Sequence, residues 1–130
     1  MNSMDIKDTT YRNIQRLKEA LDEPYSSIIR DAAIKRFHYS FEAFWRMLAK
    51  HLKEQYEIIC RSPKGCFREA FSAGLINEEE REICMEMTND RNETTHIYNE
   101  KLAEIIFTRI KDYAELMGRV VERMKISKKR

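Results

Sequence analysis

Glycine and proline are scarce, at three and two positions in a chain of 130 residues. So few turn-formers exclude a turn-rich β-sandwich or barrel and favour long helices. No segment approaches the roughly 18 apolar residues that crossing a bilayer takes. The N-terminal "MNSMDIKD" has no basic stretch followed by an apolar one. Neither a membrane span nor a signal peptide is therefore expected. Cysteine is limited to Cys60, Cys66 and Cys84, an odd count without the spacing of a zinc pair. Three reduced thiols in a cytoplasmic protein are expected, rather than a disulfide framework or a metal site. One sign of charge does not dominate: 24 basic and 22 acidic residues leave a net +2. Such a balance gives no broad field for nucleic acid and leaves room only for a local patch.

What the chain does have is charge and apolar residues at helical spacing. Charged residues make up 35% and aromatic ones 10%, which suits a folded helical domain and argues against disorder. No repeat, low-complexity segment or Pro/Gly/Ser-rich linker divides it. Residues 1–130 are read as one domain, with 1–9 and 125–130 frayed. The last six residues, "KISKKR", carry four cations. They read as a solvated tail, with an assisting nucleic-acid contact as the alternative.

Tyr11, Ile14, Leu17 and Leu21 repeat at three and four, which predicts a first helix over Thr10 to Leu21. Pro24 interrupts it. From Ser27, a stripe of Ile29, Ala33, Phe37, Phe41, Phe44, Trp45, Leu48, Leu52, Tyr56 and Ile59 predicts a long second helix with one buried face. Ser62 ahead of Pro63 marks the start of a short third helix, and Gly74 its end. Asn77, three residues before Glu80, caps a fourth helix to about Arg91. Glu78, Glu79 and Glu80 suit its positive end and are read as a start signal rather than a metal site. Asn99 caps a fifth helix, Glu100 to Met124, with Leu102, Ile105, Ile106, Ile110, Tyr113, Leu116, Met117, Val120 and Val121 inward. The fold class is all-α: an up-and-down antiparallel four-helix bundle with an additional N-terminal or short connecting helix.

Between the fourth and fifth helices lies "DRNETTHIY", Asp90 to Tyr98. Continued as a helix, it would put Asn92 and His96 on one face and Arg91, Thr95 and Tyr98 on the next. Broken near Thr94, it would let the same groups converge. A histidine titrates near neutral pH and moves protons. An arginine fork fits a phosphate and stabilises charge growing in a transition state. That pair is what RNA cleavage needs. A base takes the ribose 2′ proton, the oxygen attacks the adjacent phosphate, and an acid protonates the leaving oxygen, with no metal required. One histidine supplies one proton-transfer group, so a two-fold dimer with the junction near its axis would complete the set. An Arg and a His at this spacing arise often by chance, and a polar histidine at a helix junction is more often a capping or surface group, so the residues alone favour a hinge. His38 and His51 read as core-edge or solvated groups.

The same residues resemble the HEPN superfamily, whose mark is an Arg, a polar residue and, after a short gap, a His; here it is "RNETTH". More closely, "FHYSFEAFW", "SPKGCFREAFSAGLI" and "MTNDRNETTHIYNE" resemble the small nucleotidyltransferase substrate-binding proteins encoded beside a minimal nucleotidyltransferase (MNT). The resemblance runs from about Phe37 to Met117. It implies an up-and-down helical bundle that forms a homodimer. For the toxin–antitoxin branch it implies a metal-independent ribonuclease toxin, acting on RNA such as tRNA or mRNA. Arg91 and His96 would be its catalytic pair and Asn92 their support. Glu42 would be a recurrent acidic position, either bonded near the site or facing solvent, and Asp90 and Thr95 are further supporting candidates. The antitoxin would be an MNT enzyme that uses ATP to place AMP on Tyr98. No cofactor of the chain's own is implied. Lacking a Gly-Ser and paired-Asp signature, the chain depends on that partner for nucleotidyl transfer. The alternative is a non-catalytic subunit presenting a substrate to the nucleotidyltransferase, and a purely structural helical dimer is the third reading. The chain departs from the pattern at Cys84, where a tryptophan is usual, and at Ile97, where a small polar residue is commoner.

Overall fold

The computed structural model describes residues 5–126; residues 1–4 and 127–130, including most of the basic tail, lie outside them. Five α-helices and one short 3-10 turn make up the fold, with no strand among the described residues. These are α1 Ile6–Leu21, α2 Ser27–Tyr56, α3 Pro63–Ser72, α4 Glu78–Asn92 and α5 Glu100–Ile126, with the 3-10 turn Thr94–His96 before α5. Four long helices form the bundle and α3 is the short connector. Helices α1, α2 and α5 pack on one another, while α3 and α4 pair and close the remaining side of α2.

The starts of the helices follow from side chains that accept otherwise unpaired amide N–H groups. Ser26 accepts from Ile29, and Ser62 from Gly65 with Pro63 in the first turn. Asn77 and Glu80 cap each other's backbone N–H groups at 2.8 and 2.9 Å. A Cβ at Gly65 would come within 3.0 Å of the Ser62 hydroxyl, so the weak helix-former there serves the cap. Gly74 ends α3 at φ +81°, a conformation glycine takes without strain.

Two expectations are corrected at the ends of helices. The first helix starts at Ile6, because Asp5 accepts from the Lys7 N–H, so residues 6–9 are helical rather than frayed. Lys125 and Ile126 likewise continue α5. Helix α2 stops at Tyr56, where Glu57 turns left-handed at φ 59° and the Ile58 N–H folds back onto the Leu52 carbonyl. Ile59 therefore leaves the predicted apolar stripe and stands exposed.

A third correction concerns cysteine. Cys60 and Cys66 form a disulfide, and only Cys84 is free. The turn after α2 and the start of α3 bring their Cα atoms to 5.2 Å, a proximity that spacing alone did not reveal. The step from three reduced thiols to a cytoplasmic setting loses its basis. No helix is long and apolar enough to cross a membrane among the described residues.

The core is aromatic at its centre. Phe37 stacks on Tyr113, Phe41 meets Phe67 edge-on, and Phe44 packs on Phe67 at a tilt. Each buried Phe contributes roughly 1.5–3 kcal/mol through lost water contact. Trp45 and Leu102 are only partly buried, and Ile105 faces solvent. Glu80 goes further than a start signal. It is buried and binds Arg123 through both carboxylate oxygens, at 3.0 Å each, and Arg119 at 3.2 Å. Arg123 above all holds its carboxyl down to about 2, against the cost of burial. This clamp fixes the start of α4 to the far end of α5, and so sets where α4 delivers its last residues.

Candidate functional site

The stretch from Asp90 to Tyr98 neither continues as an α-helix nor breaks sharply. It tightens. The Glu93 N–H bonds to the Asp90 carbonyl, His96 to Glu93, and Asn99 to His96, each at 2.9–3.0 Å. Thr94 drives the change: its hydroxyl donates to the Arg91 carbonyl at 2.7 Å, competing with the helical ladder. Asn99 then accepts from the Leu102 N–H and restarts the helix as α5.

Arg91, on the last turn of α4, points inward against α2. Its guanidinium lies 4.8 Å from the centre of the Phe41 ring and forms an ion pair with Glu42. Its Nε donates to the Asn92 side-chain oxygen at 3.1 Å. Glu42 also meets Arg46 at 3.4 Å, so two cations share one carboxylate and the trio keeps a net positive charge. Burial lowers the proton affinity of Arg91, but a guanidinium stays charged at any relevant pH.

His38 joins this group from α2. Its Nδ1 stands 3.4 Å from the Thr94 hydroxyl oxygen. The single Thr94 hydroxyl proton goes to the Arg91 carbonyl, so His38 Nδ1 must be the donor of this long contact. In the neutral ring that leaves Nε2 as a free acceptor. Burial first, and the Arg91 charge second, push the imidazole below its ordinary value, so it is neutral at pH 7.

His96 and Tyr98 form a separate, outward-facing pair. His96 Nδ1 lies 3.0 Å from the Tyr98 hydroxyl, and the rings meet nearly perpendicular, 5.7 Å apart. Tyr98 is 79% exposed. Thr95 is exposed on the same turn. The site thus has an inner cationic layer of Arg91, Glu42 and His38 with the exposed Asn92 at its rim, and an outer layer of His96 and Tyr98.

Asp90 belongs to neither. It faces α5, where it accepts from Arg109 Nη1 at 2.9 and 3.0 Å and from the buried Tyr113 hydroxyl at 2.6 Å. Burial, and then this carboxylate, hold the Tyr113 phenol protonated far above its usual range. Asp90 is a clamp that ties the end of α4 to α5. Among the described residues, no three His, Cys, Asp or Glu side chains gather as a metal site would need. The member that the sequence reading passed over is His38. Its signal was the i, i+4 pair His38 and Glu42 in "FHYSFE", which puts both on one face of α2.

Residues 7–126 match the family model described as nucleotidyltransferase substrate binding protein like. A solved Thermus thermophilus protein is 44% identical, covers 89% of this chain with 98% of its own, and superposes with a TM-score of 0.86. At 17% identity, a tri-AMPylated HEPN toxin from Shewanella oneidensis, solved in complex with its MNT antitoxin, shares the fold with a TM-score of 0.79 over 96% of this chain and all of its own. A Haemophilus influenzae protein, described as having the fold of a substrate binding domain of a nucleotidyltransferase, matches at 19% identity and a TM-score of 0.68, over 92% of this chain and 97% of its own. No curated protein matches the sequence. With the family model spanning nearly the whole helical bundle and the Arg91–His96–Tyr98 set standing at its α4–α5 junction, the chain belongs to the family of nucleotidyltransferase substrate-binding proteins.

Proposed function

We propose that this protein is a metal-independent endoribonuclease toxin, neutralised by a minimal nucleotidyltransferase that attaches AMP to Tyr98. The observation that carries the reading is the exposed His96–Tyr98 pair one turn beyond the inward Arg91 fork. His96 would take the 2′ proton of a ribose as the oxygen attacks the adjacent phosphorus. Arg91 has five N–H donors, so it can keep Glu42 and still face a phosphate. The leaving oxygen needs a proton from a second group, which the His96 of a second protomer supplies if the junctions meet across a two-fold axis.

The same pair gives modification a path. The Tyr98 oxygen attacks the α-phosphorus of ATP held by the partner, pyrophosphate leaves, and the phenolic proton passes to His96 Nδ1, 3.0 Å away. The new phosphodiester brings a negative charge and a base beside His96, and blocks RNA without unfolding the bundle.

A second reading, a non-catalytic subunit that presents a small substrate to the nucleotidyltransferase, is favoured by one feature. Arg91 is already paired with Glu42 and half-buried, as a structural cation would be. Coexpression with the MNT partner and mass spectrometry separate the two. The toxin reading predicts an AMP adduct on Tyr98 that is absent from Tyr98→Phe. Neutralisation of toxicity with Tyr98 never modified would exclude the switch. Transfer of AMP to a small molecule, dependent on this chain, would favour the second reading.

A further inference from the structure

Away from the junction, helices α1 and α2 enclose a concavity of about 200 Å³ lined by Asn13, Arg16, Arg36 and Tyr39. Seven of the twelve described arginines meet a carboxylate, and of the other five, Arg16 and Arg36 share this hollow. Arg36 donates from Nη1 to the Arg16 backbone carbonyl at 2.7 Å, which holds its guanidinium across the groove. No acidic side chain lines the concavity. Tyr39 sits at its edge, 54% exposed in a protein whose central aromatic residues are buried.

Tyr39 joins the concavity to His38 of the candidate site. Tyr39 follows His38 on α2, and their rings meet edge-on at 6.2 Å. His38 in turn touches Thr94 on the turn that carries His96. Along α2, Arg36 and Glu42 are separated by about 9 Å of helix rise. Two guanidinium forks free of carboxylates, an open aromatic ring and an amide in one hollow are the groups that hold a phosphodiester and stack a base.

We propose that Asn13, Arg16, Arg36 and Tyr39 form a nucleotide subsite that holds the single-stranded RNA flanking the phosphate at Arg91 and His96. The inference rests on the ribonuclease reading and adds to it where the strand lies. Arg16 and Arg36 take the neighbouring phosphate, and Tyr39 stacks on its base without demanding a sequence. The local patch is thus two unpaired arginines in a chain of nearly balanced charge.

The test is fluorescence anisotropy with a short, unstructured, labelled single-stranded RNA, in a His96→Ala background so that the probe survives. Circular dichroism confirms that each variant is folded. Tyr39→Ala should weaken binding about tenfold, and Tyr39→Phe should not. Arg16→Ala should flatten the dependence of log K on log salt by about 0.7, one phosphate contact on a single strand. With His96 intact, Tyr39→Ala should slow cleavage of the same RNA through a raised KM, with kcat kept. Unchanged RNA affinity in both Tyr39→Ala and Arg16→Ala would overturn the subsite and leave the ribonuclease reading standing. A loss in kcat with KM unchanged would also overturn it, since the residues would then act at the reacting phosphate. Failure of the parent to bind or cleave RNA would remove the ribonuclease reading, and the subsite with it.

Discussion

Replacing Asp90 with asparagine separates a structural clamp from a reacting group. Asp90 is 7% exposed and accepts from the buried Tyr113 hydroxyl at 2.6 Å and from Arg109 at 2.9 Å. A hydrogen bond to a charged group contributes about 1.5–3 kcal/mol, against roughly 1 for a neutral one. The Arg109 pair adds less, about 1 kcal/mol or below, because Arg109 is 41% exposed and solvent screens it. Asparagine keeps one acceptor for Tyr113 but turns an NH2 toward the guanidinium. The net loss is about 1–3 kcal/mol. For 130 residues, an unfolding entropy near 2.1 cal/mol/K per residue converts this to a fall in Tm of roughly 4–11 °C. The assay is a thermal melt followed by far-UV circular dichroism, with RNA cleavage measured well below the variant's Tm. Asp90→Asn should melt early and still cleave. A melt within about 2 °C of the parent, with cleavage abolished, would refute the clamp and place Asp90 among the reacting groups.

Other consequences are as direct. Folded Glu80 resists protonation down to about 2, whereas the unfolded chain takes up that proton near 4.5. Its contribution, about 3 kcal/mol, is therefore complete above roughly pH 5 and is lost as the pH falls toward 2. Urea unfolding across that range should show the loss in the parent and not in Glu80→Gln, and identical slopes would contradict it. His38 should titrate by NMR with a midpoint below 6.5, and Arg91→Gln should move it upward by removing a neighbouring positive charge; no movement would mean that the two groups do not sense each other. Burial pushes the Cys84 thiol up to about 12, so a thiol reagent at mildly alkaline pH should leave the native protein unlabelled. After denaturation without reductant it should find one thiol per chain, Cys84; finding three would contradict the Cys60–Cys66 bond.

Which of these features the sequence carried depends on how far apart their causes lie in the chain. Ser62, Gly74, Asn77 and Asn99 were readable because a cap acts on backbone within three residues of itself. The same local logic placed α3, α4 and the restart at α5. The start of α1 was missed because Asp5 caps a first turn that contributes little apolar periodicity. The end of α2 was missed because Glu57 adopts a left-handed turn that its side chain does not advertise. Glu80 looked like any first-turn acid until Arg119 and Arg123 arrived from α5, and Asp90 looked like part of a polar motif until Tyr113 claimed it. At the site, the motif named Arg91, Asn92, His96 and Tyr98, and the structure divides them between an inner and an outer layer. The i, i+4 spacing of His38 and Glu42 puts both on one face of α2, but that this face and Phe41 meet Arg91 and Thr94 follows only from packing between helices distant in sequence.

The ribonuclease reading requires His96 to move a proton at an RNA phosphate. Purified protein incubated with tRNA and with total RNA in EDTA tests that most directly, with His96→Ala alongside. The account predicts cleavage by the parent that the chelator does not suppress and that His96→Ala abolishes. RNA left intact by the parent, or cut equally by His96→Ala, would contradict it.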